Sequence, residues 1–195
     1  GPGRHSHEFA RRGIEATGVD ISERFVQLAN SEAPDGATFQ RVDARRLNFD
    51  QSFDAAISLC QGAFGLGGPA DDADDPQLLQ PDLAVLGGIA RALRPGGRFA
   101  VSAFSAYFQV ANLEQSDTFD AASGVNHERT EIRSEFDESN EVDLWTTCYT
   151  PRELRLLFER AELVVDAIHS AETGTYRPLD PATTTPEFLV LGHRP

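Results

Sequence analysis

The chain contains no lysine; all 17 of its basic residues are arginine. Without an ε-ammonium it cannot form a lysine Schiff base with pyridoxal phosphate, build a phosphate-loop lysine site, or supply the Tyr/Lys pair of short-chain dehydrogenases. A coding bias toward arginine or an adaptation to salt would explain the substitution, and the exclusions hold either way. Basic residues are also outnumbered, 17 against 31 acidic ones, for a formal net charge of −14. That charge repels phosphate backbones and anionic lipid, and no basic stripe offsets it locally, so neither nucleic acid nor membrane is expected as a partner.

Cysteine is scarce as well. Cys60 and Cys148 are too few and too far apart for a disulfide framework or a zinc module, and read as reduced thiols of a cytoplasmic protein. No run of about 18 apolar residues is present, and the start lacks the basic, apolar, small-residue order of a signal peptide. At 195 residues and 40% hydrophobic, the expectation is one domain, residues 1–195, with a sizeable core.

What the chain does contain is an alternation of strand and helix patterns. A glycine turn, Gly1-Pro2-Gly3, runs into a helical pattern over 4–12 that stops at Gly13. Residues 14–19 read as a strand ending beside Asp20, 17 residues after Gly3. Such an arrangement binds nucleoside-containing cofactors, although no strand precedes the turn. Ser22 is a plausible N-cap for a helix whose apolar face is Phe25, Leu28 and Ala29, and 38–42 is the next strand.

The apolar run 53–59, FDAAISL, has the composition of a central strand covered on both faces. The acidic segment 71–75 reads as a solvated loop rather than a metal site. Leu83, Leu86, Ile89, Ala90 and Leu93 form a helix stripe ended by Arg94-Pro95-Gly96-Gly97, before a strand over 98–104. The β/α rhythm implies a parallel sheet. It breaks over 105–147, where alternation in 130–136 and 142–146 around a turn predicts an inserted antiparallel hairpin. Thr150-Pro151-Arg152-Glu153 is a capping box opening a helix with Leu154, Leu157, Phe158 and Ala161 inward. Strands at 163–168 and 187–191 close the chain as an antiparallel pair.

In this order, the segments GPGR, GVDIS, VDAR, FDAAISLCQGAF, LRPGGRFAVS and YTPRELRLLFERAEL resemble the class I S-adenosylmethionine-dependent methyltransferases, across nearly the whole chain. The resemblance implies an α/β Rossmann-like sheet of order 3-2-1-4-5-7-6 with strand 7 antiparallel, the cofactor at the carboxyl ends of the strands, and 105–147 as a substrate-side insert. On this alignment the family's first strand is missing and the chain starts within the glycine motif. Neighbouring strands lie about 4.8 Å apart, so the omission would leave either a gap of roughly 9.6 Å between 14–19 and 53–59 or a direct pairing of those two strands.

The resemblance also assigns a site. Gly1 and Gly3 give the cofactor's methionine part close access to backbone, and the following helix start binds its carboxylate; an ordinary loop pair is the alternative. Asp20 accepts both ribose hydroxyls, with Ile21 on the adenine, unless Asp20 only starts the next helix. Asp43 and the Ala44 amide meet the adenine edge, or Asp43 is a plain turn residue. Leu59, Cys60 and Gln61 lie beside the methionine moiety, Cys60 as a wall residue rather than a nucleophile.

Methyl transfer to a small-molecule acceptor by in-line displacement is the implied reaction, and it needs a base only for an acceptor such as a hydroxyl. His127, Glu128 and Tyr149 are the candidates. His5 and His7, two apart on a helix, point to different faces, so no metal is expected there; His169 and His193 read as isolated. Two alternatives stand beside this reading. One is an NAD(P)-binding oxidoreductase, which would want a third glycine where Ser6 stands; the other is a non-catalytic cofactor-binding module.

Overall fold

A computed structural model describes residues 1–60, 62–68, 78–133, 139–172, 174 and 177–195. The acidic segment 71–75, Gln61 and the turn expected near 137–140 fall wholly or partly outside these residues. The chain divides into two compact units, Gly1–Asn48 and Phe49–Pro195.

The first unit comprises α1 (Arg4–Arg11), β1 (Ala16–Asp20), α2 (Glu23–Ser31), β2 (Ala37–Arg41) and a single 3₁₀ turn, Ala44–Arg46. β1 and β2 pair in parallel with Gly18 opposite Phe39. The Phe39 ring fills the space beside two glycines: a Cβ on Gly18 would lie 2.5 Å from it, and one on Gly3 2.7 Å. His7 packs edge-on to the same ring, centroids 5.1 Å apart, and its Nε2 lies 2.9 Å from the Ala29 carbonyl, tying α1 to α2. His7 is thus a buried core histidine.

Ser22 caps α2 as expected, its hydroxyl accepting from the Phe25 amide at 3.3 Å. The helix buries less than its pattern implies: Ala29 is fully covered, whereas Phe25 and Leu28 remain exposed. A two-stranded sheet offers a helix only a narrow face, and hydrophobic spacing alone does not report how wide that face is.

The second unit holds β3 (Phe53–Ser58), α3 (Gln80–Ala92), β4 (Leu93–Ser105), α4 (Ala106–Ala111), β5 (Thr118–Asp120), β6 (Val125–Arg133), β7 (Ser139–Tyr149), α5 (Pro151–Arg160), β8 (Val164–Ala171) and β9 (Glu187–His193). β4 is its hub, pairing in parallel with β3, antiparallel with β9 along its length, and in parallel with β7 at Phe104 and Ser105. β8 and β9 form the expected antiparallel pair. The pairings give a ladder run β3-β4-β9-β8 in this unit and a separate pair β1-β2 in the first.

Several expectations are corrected. β3 has the composition of a central strand, yet among the described residues it pairs only with β4, leaving Ile57 exposed. Among the described residues β1 pairs with β2 alone. The Arg94–Gly97 stretch lies inside β4 instead of before it, because Leu93 already pairs with Phe53 and a register shift absorbs the turn. The insert contains α4 and β5 in addition to the hairpin, and β7 runs on into the main sheet. His193 is not isolated: its Nδ1 lies 3.0 Å from Asp166 Oδ1 across the β8–β9 pair.

The core of this unit forms between the sheet and α3 and α5. Leu86, Leu93, Val101, Leu154, Phe158, Phe188 and Val190 are essentially inaccessible, and Phe158 stacks on Phe99 with centroids 5.1 Å apart. The Thr150–Glu153 capping box is complete: Glu153 donates its amide to Thr150 Oγ1 at 3.3 Å, and its carboxylate accepts the Thr150 amide at 2.7 Å. Thr150→Ala is therefore expected to cost about 1 kcal/mol of unfolding free energy, measured by urea denaturation, while Thr150→Ser retains most of it.

Candidate cofactor and acceptor site

In the first unit the expected cofactor residues lie at the carboxyl ends of β1 and β2. Gly3 caps α1 with φ +86°, a left-handed conformation suited to glycine, and no side chain caps the first turn of that helix. Its first amides stay available to an anion. Asp20 ends β1; its Oδ1 accepts the Ser22 amide at 2.7 Å and its Oδ2 contacts the Gly1 amino group. Asp20 thus organises the start of α2 and keeps a carboxylate at the strand end.

Ile21 follows with 60% of its surface exposed, an apolar face beside that carboxylate. Its carbonyl accepts from Arg41 Nε at 3.1 Å, and Arg41 also reaches Glu23 at 3.2 Å. Arg41 is absent from the sequence-derived candidates, because a brace between two strand ends leaves no local motif.

Asp43 caps the 3₁₀ turn that begins at Ala44. It accepts the Arg45 amide at 2.9 Å and holds the Arg45 guanidinium through both oxygens, at 3.0 Å from Nε and 2.7 Å from Nη2. The side-chain bonds to Arg45, then its amide, lower the Asp43 pKa from the ordinary 3.8 to about 2. Asp43 is therefore a charged acceptor already shared with an arginine, a partner that the VDAR motif places only two residues away.

In the second unit, Leu59 and Cys60 follow β3. Cys60 has φ +52°, and its amide donates to Ser102 Oγ at 3.0 Å, which fixes the turn against β4. The Ser58 hydroxyl just before it is buried with no hydrogen-bond partner among the described residues. Within the first unit, an uncapped helix start after Gly3 and an acidic strand end beside exposed Ile21 fit a ligand carrying a carboxylate, a ribose and an adenine.

The three base candidates have separate environments. Tyr149 is 2% exposed, stacked on Phe64 with centroids 5.0 Å apart, and its hydroxyl donates to Asp82 Oδ2 at 2.6 Å. Burial, then the neighbouring Asp82 charge and hydrogen bond, raise its pKa well above the usual phenol value. A phenolate is out of reach near neutral pH. His127 stacks on Trp145 at 4.8 Å, and its Nε2 lies 2.8 Å from Asp143 Oδ1.

Glu128 points to the other face of β6 by strand alternation. There, with Phe108, Asn112, Glu114, Asp117 and Thr130, it lines a cavity of about 230 Å³ formed with α4 and the following loop. Burial, then the charges of Asp117 and Glu114, raise the Glu128 pKa above its ordinary value. Among the described residues, no three His, Cys, Asp or Glu side chains come together as metal ligands, and no helix is long and apolar enough to cross a membrane.

Comparison with known proteins meets this geometry. A family model described as a methyltransferase domain matches residues 1–162. The CcbJ methyltransferase of Streptomyces caelestis superposes with a TM-score of 0.76 at 17% identity, covering all of this chain and 80% of that one. An S-adenosylmethionine-dependent methyltransferase of Clostridium acetobutylicum gives 0.71 at 14%, with the same coverage. The 1,6-didemethyltoxoflavin-N1-methyltransferase of Burkholderia thailandensis, solved with 1,6-didemethyltoxoflavin and S-adenosylhomocysteine, gives 0.56 at 18%, covering all of this chain and 67% of that one. No match is found among curated protein sequences.

The chain belongs to the methyltransferase domain family, and its Rossmann-like fold is shared with S-adenosylmethionine-dependent methyltransferases. For the site itself, the Asp43 environment has a direct readout. Its carboxyl resonance should titrate with a midpoint near 2 and move up toward 3.8 in Arg45→Ala. Because the folded pKa is depressed, the associated stability is present above the ordinary value and is lost as pH falls toward 2.

Proposed function

We propose that the chain transfers the methyl group of S-adenosylmethionine to a small-molecule acceptor, with both units acting as one methyltransferase domain and residues 105–147 forming the acceptor side. The observation that carries the acceptor class is the cavity of about 230 Å³ inside the insert, below the roughly 300 Å³ at which drug-sized ligand pockets begin and so sized for a small acceptor only. The bound 1,6-didemethyltoxoflavin of the Burkholderia thailandensis enzyme supports the same class.

When bound, the cofactor supplies a methyl group already activated on a sulfonium, so the protein's task is to orient an acceptor lone pair along the S–methyl axis and keep water away. In this reading Asp20 accepts from the ribose hydroxyls and Ile21 covers one adenine face. Asp43 and the Ala44 amide read the adenine edge, with Asp43 dividing its lone pairs between the ligand and Arg45. Gly1, Gly3 and the first amides of α1, with Leu59, Cys60 and Gln61, hold the methionine moiety.

Glu128 is the favoured base among the three candidates. It lines the cavity, it is the carboxylate whose pKa burial and like charges raise, and it can accept a proton from an acceptor hydroxyl or ammonium. His127 lies on the opposite face of β6, and Tyr149 has its proton committed to Asp82. A cytoplasmic location with both thiols reduced completes the proposal.

The test is transfer of labelled methyl from S-adenosylmethionine across a panel of small amines and phenols. Turnover of at least one acceptor, reduced roughly 100-fold in Glu128→Gln with cofactor binding intact, is the expected result. Activity of the parent should rise with pH as Glu128 loses its proton, at a pH above the ordinary 4.5. Cofactor binding without transfer to any acceptor would favour a non-catalytic binding module.

A further inference from the structure

The loop that follows β3 is anchored by a polar network that the sequence gives no hint of. Asp82, in the first turn of α3, is 2% exposed, and no arginine or histidine is among its hydrogen-bond partners. Its Oδ1 accepts the Gly65 amide at 2.7 Å and its Oδ2 accepts the Tyr149 hydroxyl at 2.6 Å. The other side of Gly65 is held too, its carbonyl accepting the Thr147 amide of β7 at 2.8 Å.

Gly65 has φ +82°, and a Cβ there would lie 3.0 Å from the Thr147 carbonyl oxygen, so the contact with β7 is close enough to favour glycine. Beside it, Phe64 is 1% exposed between Tyr149 and Phe158. One carboxylate thereby joins three elements: the loop after β3, the start of α3 and the end of β7. Burying a carboxylate without a cation is costly, and an apolar residue would fill the same space more stably. What the carboxylate supplies instead is two directed acceptors that fix where the loop lies.

We infer that Asp82 and Tyr149 are positioning residues for the methyl-transfer site, holding Phe64 and Gly65 so that the turn at Leu59 and Cys60 takes its cofactor-binding form. The inference rests on the functional reading above, which gives that turn to the methionine moiety. Neither residue touches cofactor or acceptor; both act through the backbone of Gly65.

The test uses the full chain, Tyr149→Phe, and the double variant Asp82→Asn with Tyr149→Phe. Amide hydrogen exchange is read at Gly65 and, as a core control, at Val190, and affinity is read by calorimetric titration with S-adenosylhomocysteine. Tyr149→Phe keeps the ring stack and removes only the hydroxyl, leaving one carboxylate oxygen unpartnered. It should speed exchange at Gly65 at least tenfold, leave Val190 within about twofold, and weaken S-adenosylhomocysteine at least tenfold.

In the double variant the neutral carboxamide at position 82 can still accept the Gly65 amide and no unpaired charge remains, so affinity should return to within about threefold of the parent. Unchanged Gly65 exchange, equal acceleration at Gly65 and Val190, or no recovery in the double variant would overturn the inference. Should Tyr149→Phe fail to fold, the folded double variant with parental affinity and Gly65 protection supports it, and one without them overturns it. If the parent itself does not bind S-adenosylhomocysteine, the cofactor reading fails, and positioning of the loop is then decided by the exchange pattern alone.

Discussion

β4 is the constraint on which the second unit depends. A strand that hydrogen-bonds β3, β9 and β7 must satisfy three geometries at once, and its sequence reflects that demand. Phe99, Val101 and Ala103 alternate into the core, Arg98 begins the ladder to β9, and Ser102 and Ser105 sit at its carboxyl end, where polar side chains can serve the adjoining segments. Ser102 receives the Cys60 amide and Ser105 caps α4 by accepting from the Phe108 amide at 3.2 Å. The same strand therefore fixes the turn after β3 and launches the insert. An open α/β sheet places its ligands at such carboxyl ends because they are where loops from neighbouring strands converge.

The carboxylates of the chain lie in surroundings that differ. Asp43 shares an arginine and stays charged to low pH; Glu128 faces two like charges and holds its proton more readily; Asp82 is buried with two neutral donors. Carboxylates thus stand in three environments, one proposed to meet the ligand, one proposed as a base and one acting as a structural acceptor. With no lysine in the chain, every permanent positive charge on a side chain is a guanidinium, and the pairing of Asp43 with Arg45 uses both carboxylate oxygens in the fork geometry that arginine favours.

Much of the fold was legible because local and global preferences agree. Thr150-Pro151-Arg152-Glu153 announces a helix through a capping box that forms as written, and the two closing strands pair antiparallel across a connection whose Thr and Pro content disfavours a crossover helix. The exceptions are instructive. FDAAISL has the composition of a covered strand, yet β3 has a ladder on one side only among the described residues, since composition reports tolerance of burial and not the number of neighbours. α4 and β5 are too short to show a period. At the site, Asp20 and Asp43 could be read because each follows a strand at a fixed spacing, whereas Asp82 and Tyr149 are 67 residues apart and meet only through the fold.

In the proposed function, the strand ends of this chain accept an adenosyl amino acid and not a dinucleotide. Titration calorimetry with S-adenosylhomocysteine and, separately, with reduced nicotinamide dinucleotides measures that choice directly. The account predicts saturable one-to-one binding of S-adenosylhomocysteine that is lost in Asp20→Ala, and no heat of binding with the dinucleotides. Saturable binding of a dinucleotide, with none of S-adenosylhomocysteine, would contradict it.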